Sequence, residues 1–132
     1  MSAFADTSGL YALLVRADQN HVIVEQAFRR HLQSGRTLWT TSYVLVETAA
    51  LLQSRIGLEV VRDLQNHIVP VLSIEWVSED LHQKGINRLL REDRRHLSLV
   101  DCVSLEFMRS AGLRDVLGVD RHFAEAGLRL LP

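Results

Sequence analysis

The chain has a single cysteine, Cys102, in 132 residues. That excludes an internal disulfide framework and a cysteine-rich zinc site, and it suits a reducing cytosol. There are two prolines, Pro70 and Pro132, and no linker, repeat or low-complexity tract. No apolar run reaches the ~20 residues of a membrane-spanning helix. The opening MSAFADTSG has no basic region followed by a long apolar segment, so no signal peptide is read. A cytoplasmic protein with no membrane partner is expected. The only lysine is Lys84, and the formal net charge is −1. No global basic field announces nucleic acid, so any such function must rest on local patches. Six histidines are scattered without zinc-motif spacing.

The composition is 47% hydrophobic, enough for one domain over residues 1–132 with a real core. Short apolar runs alternate with longer amphipathic ones. Strands are expected at 3–5, 37–40, within 69–74, at 116–119 and at 128–131. Helices are expected at 21–34, capped by Asn20 and stopped by Gly35, and from Thr41 or Ser42 to just before Gly57. Further helices are expected at 58–68, from Ser78, from Ser98 to Gly112, and at 121–126. Such alternation implies a three-layer α/β/α sandwich around a mostly parallel sheet. Ligands bind beyond the carboxyl ends of strands in such folds. Asp6 and Asp120 both stand where a strand gives way to a helix, and so share one sheet edge.

The stretch YVLVETAALL (Tyr43–Leu52) carries one ionisable group, Glu47, with no Lys or Arg within seven residues. A carboxylate taken out of water costs several kcal/mol unless it is compensated. Its helical neighbours Tyr43, Val44, Ala50 and Leu51 are uncharged, so it is expected on an apolar face. A hydroxyl of Thr48 or Tyr43 is one way to satisfy it; a cation from outside the chain is another. Asp6 and Asp120 read equally well as N-caps. Ser98-Leu-Val-Asp101 matches a capping box, which leaves the second carboxylate oxygen of Asp101 free. Taken together, four converging carboxylates would repel one another and raise their own pKa values without a cation. Oxygen-only donors suit Mg²⁺ or Mn²⁺, and such an ion supports hydrolysis of a phosphate ester.

Four segments, in order, resemble the PIN-domain ribonucleases, most closely the VapC-type toxins. FADTSGLYALL carries Asp6 and Ser8, TTSYVLVETAALL carries Glu47, HLSLVDCVSLEFMRSAGL carries Asp101, and VLGVDRHFAEAGLRLLP carries Asp120. The resemblance covers nearly the whole chain. It implies an α/β/α sandwich and Mg²⁺ or Mn²⁺ held by Asp6, Asp101 and Asp120, with Glu47 close by. It also implies hydrolysis of RNA by a metal-activated water, a cognate antitoxin, and a homodimer. One departure stands out. Family members often have Thr or Ser two residues before the fourth acid, where this chain has Gly118. Arg121 and His122 add no further acid after Asp120, so a four-carboxylate site without a fifth ligand is expected.

Lys84, Arg88, Arg91 and Arg95 are spaced as one cationic helix stripe, if one helix spans them. The stripe, Arg91 and Arg95 in particular, reads either as an RNA phosphate contact or as a solvated face. Ser8 and His122 are further candidates for touching substrate. Cys102, Trp39 and Trp76 are expected in the core. Leu45, Leu52, Ile56 and Leu58 exceed what a small core needs, and some can face a partner chain. Two other classes compete with the nuclease. A receiver domain needs a Lys near the last strands, which is missing here. A catalytically silent binding module of the same fold would need no intact carboxylate set. Within the nuclease class, an RNA-processing enzyme without an antitoxin is the alternative to a toxin.

Overall fold

Five short segments line up as one sheet in the order β3-β2-β1-β4-β5. They are β1 (Ala3–Ala5), β2 (Leu38–Thr41), β3 (Ser73–Glu75), β4 (Asp115–Leu117) and β5 (Arg129–Leu131). Every pairing is parallel, so the expected mostly parallel sheet is wholly so among the described residues. This computed structural model describes residues 2–131; Met1 and Pro132, the ends of the expected domain, lie outside the described residues. The helices are α1 (Thr7–Leu14), α2 (His21–Gln33), α3 (Ser42–Arg55), α4 (Leu58–Asp63), α5 (Glu79–Glu92), α6 (Leu99–Ala111) and α7 (Arg121–Glu125).

Both faces of the sheet are covered. Phe4 and Trp39 are register partners, and both rings pack on Phe107 of α6, at 6.0 and 5.7 Å between centroids. Side chains alternate along a strand, so Ala3, Ala5, Leu38 and Thr40 face the opposite layer. All of them are buried. The result is the α/β sandwich the sequence implies.

The strand order fixes where a ligand belongs. From β1 the chain moves to β2 and β3 on one side, then crosses to β4 and β5 on the other. The switch point lies between β1 and β4, and the crevice beyond their carboxyl ends is the favoured ligand site. This order also differs from the 2-1-3-4-5 order of receiver domains, which removes that alternative. The approach of α1 to the switch point is tight. A Cβ at Gly9 would lie 2.1 Å from the Leu117 carbonyl oxygen, so only glycine lets the helix sit there.

Several expectations shift. β4 ends at Leu117, so Gly118, Val119 and Asp120 already form the exit loop. The helix expected at 58–68 is α helix only to Asp63 and continues as a wider π turn over Leu64–Ile68. Asn20 precedes α2 but makes no side-chain cap. Thr41, rather than Ser42, caps α3 through the Val44 amide; Ser42 Oγ accepts from the Val77 amide instead. Trp76 is not in the core: it is 72% exposed, whereas Trp39 packs as expected. Of the surplus apolar residues, Leu52 is buried, while Ile56 and Leu58 are about half exposed. Cys102 is fully buried, and burial pushes its thiol further from ionisation.

Candidate active site

Three helices begin at the switch-point crevice, and each N-terminus holds one aspartate by one oxygen. Asp6 caps α1: its Oδ2 accepts from the Ser8 amide at 3.2 Å and the Ser8 hydroxyl at 2.8 Å. Asp101 lies in the first turn of α6 in the expected capping box. Its Oδ2 accepts from the Ser98 amide at 3.1 Å, and Ser98 Oγ accepts from the Asp101 amide at 3.0 Å. Asp120 caps α7, with Oδ1 accepting from the His122 amide at 3.0 Å. The capping readings and the functional one are therefore compatible. Each carboxylate is oriented by a backbone amide through one oxygen and has a second oxygen left over.

Asp6, Asp101, Asp120 and Glu47 line a single open cavity of about 440 Å³, together with Ser8. Oxygen or nitrogen donors of Asp101, Asp120 and His122 lie within 4.8 Å of one another. His122 thus brings a nitrogen donor to a cluster expected to be carboxylate alone. Asp6 Oδ1 and Thr7 Oγ1 are buried with no hydrogen-bond partner among the described residues. A buried polar atom without a partner is costly, and here both belong to residues in the wall of the acidic cavity. Burial pushes the Asp6 carboxyl up to about 7; the Ser8 hydroxyl opposes the rise and neighbouring Asp101 adds to it. Burial also raises the Asp101 carboxyl against its Ser98 hydrogen bonds, and Asp120 adds to that rise.

Glu47 is half-buried in mid-α3, and neither hydroxyl offered for it is bonded to it. Tyr43 Oη is bonded to His82 Nδ1, and Thr48 Oγ1 has no partner. The fit to a hard divalent cation is good: oxygen donors dominate, they are pre-oriented, and one is orphaned in the interior. Asp6, Asp101 and Asp120 would hold such an ion, with Glu47 lining the same cavity.

The missing hydroxyl at Gly118 has a physical explanation. A Cβ there would stand 3.2 Å from Ser8 Oγ and 3.3 Å from Asp6 Cβ. Ser8 Oγ already fills that space, donating to Asp6 and accepting from the Val119 amide at 3.0 Å. The hydroxyl beside Gly118 is therefore that of Ser8 on α1.

Arg91 and Arg95 do not line the cavity. α5 ends at Glu92 with Asp93 in a left-handed conformation, so Arg95 is outside the helix and the four-residue stripe does not form. Arg88 is tied to Glu92 and Glu106, at 3.1 and 2.8 Å. The cavity also contains residues that the sequence did not single out: Tyr11, Asp18 and Arg55. Arg55 is eight positions after Glu47, two turns along the same helix face, and that spacing was the available signal.

The fold and the site define a doubly wound α/β domain with an acidic cluster at its switch point that could bind a metal. The chain belongs to the PIN-domain family, in its VapC-type branch: the PIN domain model matches residues 3–128. A 23S rRNA-specific endonuclease, VapC20 of Mycobacterium tuberculosis, is 32% identical over 125 residues, 94% of this chain and 93% of the relative. The same match is found for that protein in strains CDC 1551 / Oshkosh and ATCC 25618 / H37Rv. The crystal structure of M. tuberculosis VapC20, described as a sarcin–ricin loop cleaving toxin, superposes with a TM-score of 0.85. It is 29% identical and covers 96% of this chain and 95% of the other.

Proposed function

We propose that this protein is a Mg²⁺- or Mn²⁺-dependent endoribonuclease that cuts the sarcin–ricin loop of 23S ribosomal RNA, acting as the toxin of a toxin–antitoxin pair. The observation that carries the reading is the convergence of Asp6, Asp101 and Asp120 on one crevice, each held by one oxygen, with the second Asp6 oxygen orphaned in the interior. The substrate follows from the likeness to VapC20 over nearly the full length of both chains. A bound divalent ion would make water a nucleophile at neutral pH and neutralise charge developing on the phosphate.

The chain's own residues prepare that chemistry. Ser8, the Ser98 amide and the His122 amide fix the three aspartates, so little reorganisation remains when a cation and phosphate enter. Glu47 approaches from α3 and completes the negative wall. His122 Nε2 stands 3.6 Å from Asp120 Oδ1, beside the acidic cluster. Among the described residues no helix is long and apolar enough to cross a membrane. A cytoplasmic location, a cognate antitoxin and a homodimer are parts of this proposal, as is a single domain over the whole chain.

The test is direct. Purified protein is incubated with ribosomes in Mg²⁺, in Mn²⁺ and in EDTA, and the new RNA ends are mapped. One cut within the sarcin–ricin loop is expected, lost in EDTA and lost with Asp6→Asn or Asp101→Asn. Cutting that persists in EDTA, or an Asp6→Asn protein as fast as the wild type, would sink the mechanism. Cuts spread over many RNAs would sink the substrate. Co-expression with the protein encoded beside it should abolish the activity if that neighbour is the antitoxin.

A further inference from the structure

The cavity has a composition that a phosphate ester should find hostile. Its wall holds five carboxylates, Asp6, Asp18, Glu47, Asp101 and Asp120, and one cation, Arg55. A guanidinium in such company is expected to pair with a carboxylate. Arg55 does not: among the described residues it has no carboxylate oxygen within ion-pair distance. Its guanidinium carbon stands instead 5.6 Å from the centre of the Tyr11 ring. That contact holds a long side chain in place while leaving its hydrogen-bond donors unused.

Its place on α3 makes this useful. Glu47, Leu51 and Arg55 follow at four-residue steps, and all three line the cavity. Eight residues of helix put the Arg55 backbone about 12 Å beyond that of Glu47. Helical side chains lean back toward the N-terminus, which aims Arg55 at the carboxylates without reaching the capped aspartates. A planar guanidinium with free donors is the group best suited to two oxygens of a phosphate.

We propose that Arg55, braced on Tyr11, forms a phosphate-binding subsite that takes a backbone phosphate of the RNA next to the one being cut. The subsite rests on the nuclease reading above. It supplies the local positive charge that a chain of net charge −1 lacks as a whole. It also gives the RNA a direction across the crevice, with one phosphate at the carboxylates and its neighbour on α3.

The experiment is steady-state cleavage of a synthetic sarcin–ricin hairpin in Mg²⁺ by wild type, Arg55→Gln and Arg55→Lys, at several KCl concentrations. Arg55→Gln should raise KM about tenfold, the worth of one charge-assisted contact, with kcat within twofold. The slope of log KM against log salt should fall by about 0.7, one phosphate contact on a single strand. Arg55→Lys should restore the slope and part of the KM. Mn²⁺ affinity of Arg55→Gln should be equal or tighter, because a cation beside the acidic wall has gone. Arg55 is exposed, and an unchanged thermal melt is the control for folding. An Arg55→Gln enzyme with wild-type KM and salt slope overturns the subsite while the nuclease reading stands. So does a variant whose loss is all in kcat, or one that binds Mn²⁺ more weakly. A wild type that cuts no RNA in Mg²⁺ or Mn²⁺ removes the nuclease reading and the subsite together.

Discussion

Two buried aspartates sit at opposite ends of neighbouring strands and are treated in opposite ways. Asp115 opens β4 and receives two hydrogen bonds from Arg129 of β5, at 3.0 and 2.9 Å. Asp6 follows β1 at the other edge of the sheet, is no less buried, and receives no cation from the described residues. The same contrast recurs among arginines. Arg88 is clasped by Glu92 and Glu106, and Arg55 by no acid among the described residues. A charge that serves the fold is matched within the fold. A charge left unmatched at the switch point fits the proposal that it serves a ligand from outside the fold.

The sharpest way to break this comparison is to neutralise each aspartate in turn. Asp6→Asn should lower cleavage at least a thousandfold, about 4 kcal/mol in the barrier, with a melting temperature equal to or above wild type in EDTA. Asp115→Asn should do the reverse. Cleavage by the folded protein should stay within twofold, while the melt falls by several degrees as the Arg129 clasp is lost. Equal melts for the two variants, or an Asp115→Asn enzyme without activity, would show that the paired and unpaired acids are not different in kind.

The next effect is in pH. The Asp6 carboxyl stands at about 7 in the metal-free fold, against 3.8 unfolded. The folded state therefore holds the proton more tightly. Its stabilisation is full below the unfolded value and is lost as pH rises through about 7. The window from 3.8 to about 7 corresponds to at most roughly 4 kcal/mol. Melts of wild type minus Asp6→Asn in EDTA should fall from pH 4 to pH 8, with Asp101 adding a change of the same sign in both proteins. Saturating Mn²⁺ should reverse the slope, because cation binding requires the ionised carboxylates. A difference curve that is flat in EDTA would mean that Asp6 is not held protonated.

These contrasts show which parts of the molecule the sequence carried and which it did not. Asp6, Asp101 and Asp120 were legible because each also caps a helix, and caps are local signals three or four residues long. Glu47 was legible as a charge without neighbours. The parallel sheet followed from the alternation of short runs. Arg55 was missed because its meaning lies in Tyr11 across the cavity and in the ion pair it does not make. Arg88 read as one member of a cationic stripe because its partner Glu106 is 18 residues away, on another helix. Arg95 fell off its stripe because Asp93 turns left-handed, a backbone event with no glycine to announce it. Trp76 was expected in the core because it stands beside a strand, and its exposure is a tertiary fact.

A smaller effect sits at Ser8, whose hydroxyl joins Asp6 to the Val119 amide and so ties α1 to the loop carrying Asp120. Ser8→Ala should lower cleavage about tenfold to a hundredfold and weaken Mn²⁺ binding, since it loosens Asp6, a proposed ligand, and leaves an amide unpaired. Gly118→Ser offers the hydroxyl from the other side, but its Cβ would crowd Ser8 Oγ at 3.2 Å. The single variant should lose activity, and adding it to Ser8→Ala should recover part of what Ser8→Ala lost. A double variant weaker than both singles would separate the two hydroxyl positions.

The smallest effect belongs to Arg88, and it tests the arginine half of the comparison. Its side chain is 18% exposed and bridges α5 to α6 through Glu106 at 2.8 Å. Arg88→Gln leaves Glu106 with only Arg109, 3.9 Å away and largely exposed, so the exchange should cost about 1 kcal/mol after allowing for solvent screening. The hairpin KM and its salt slope should not change, because a charge already neutralised by two acids has none left for a phosphate. That is the opposite of the result expected for Arg55. If Arg88→Gln flattened the salt slope as well, the basic segment from Lys84 to Arg95 would return as an RNA contact. The rule that matched charges serve the fold and unmatched ones serve the ligand would then fail at the place where its two arginines differ most.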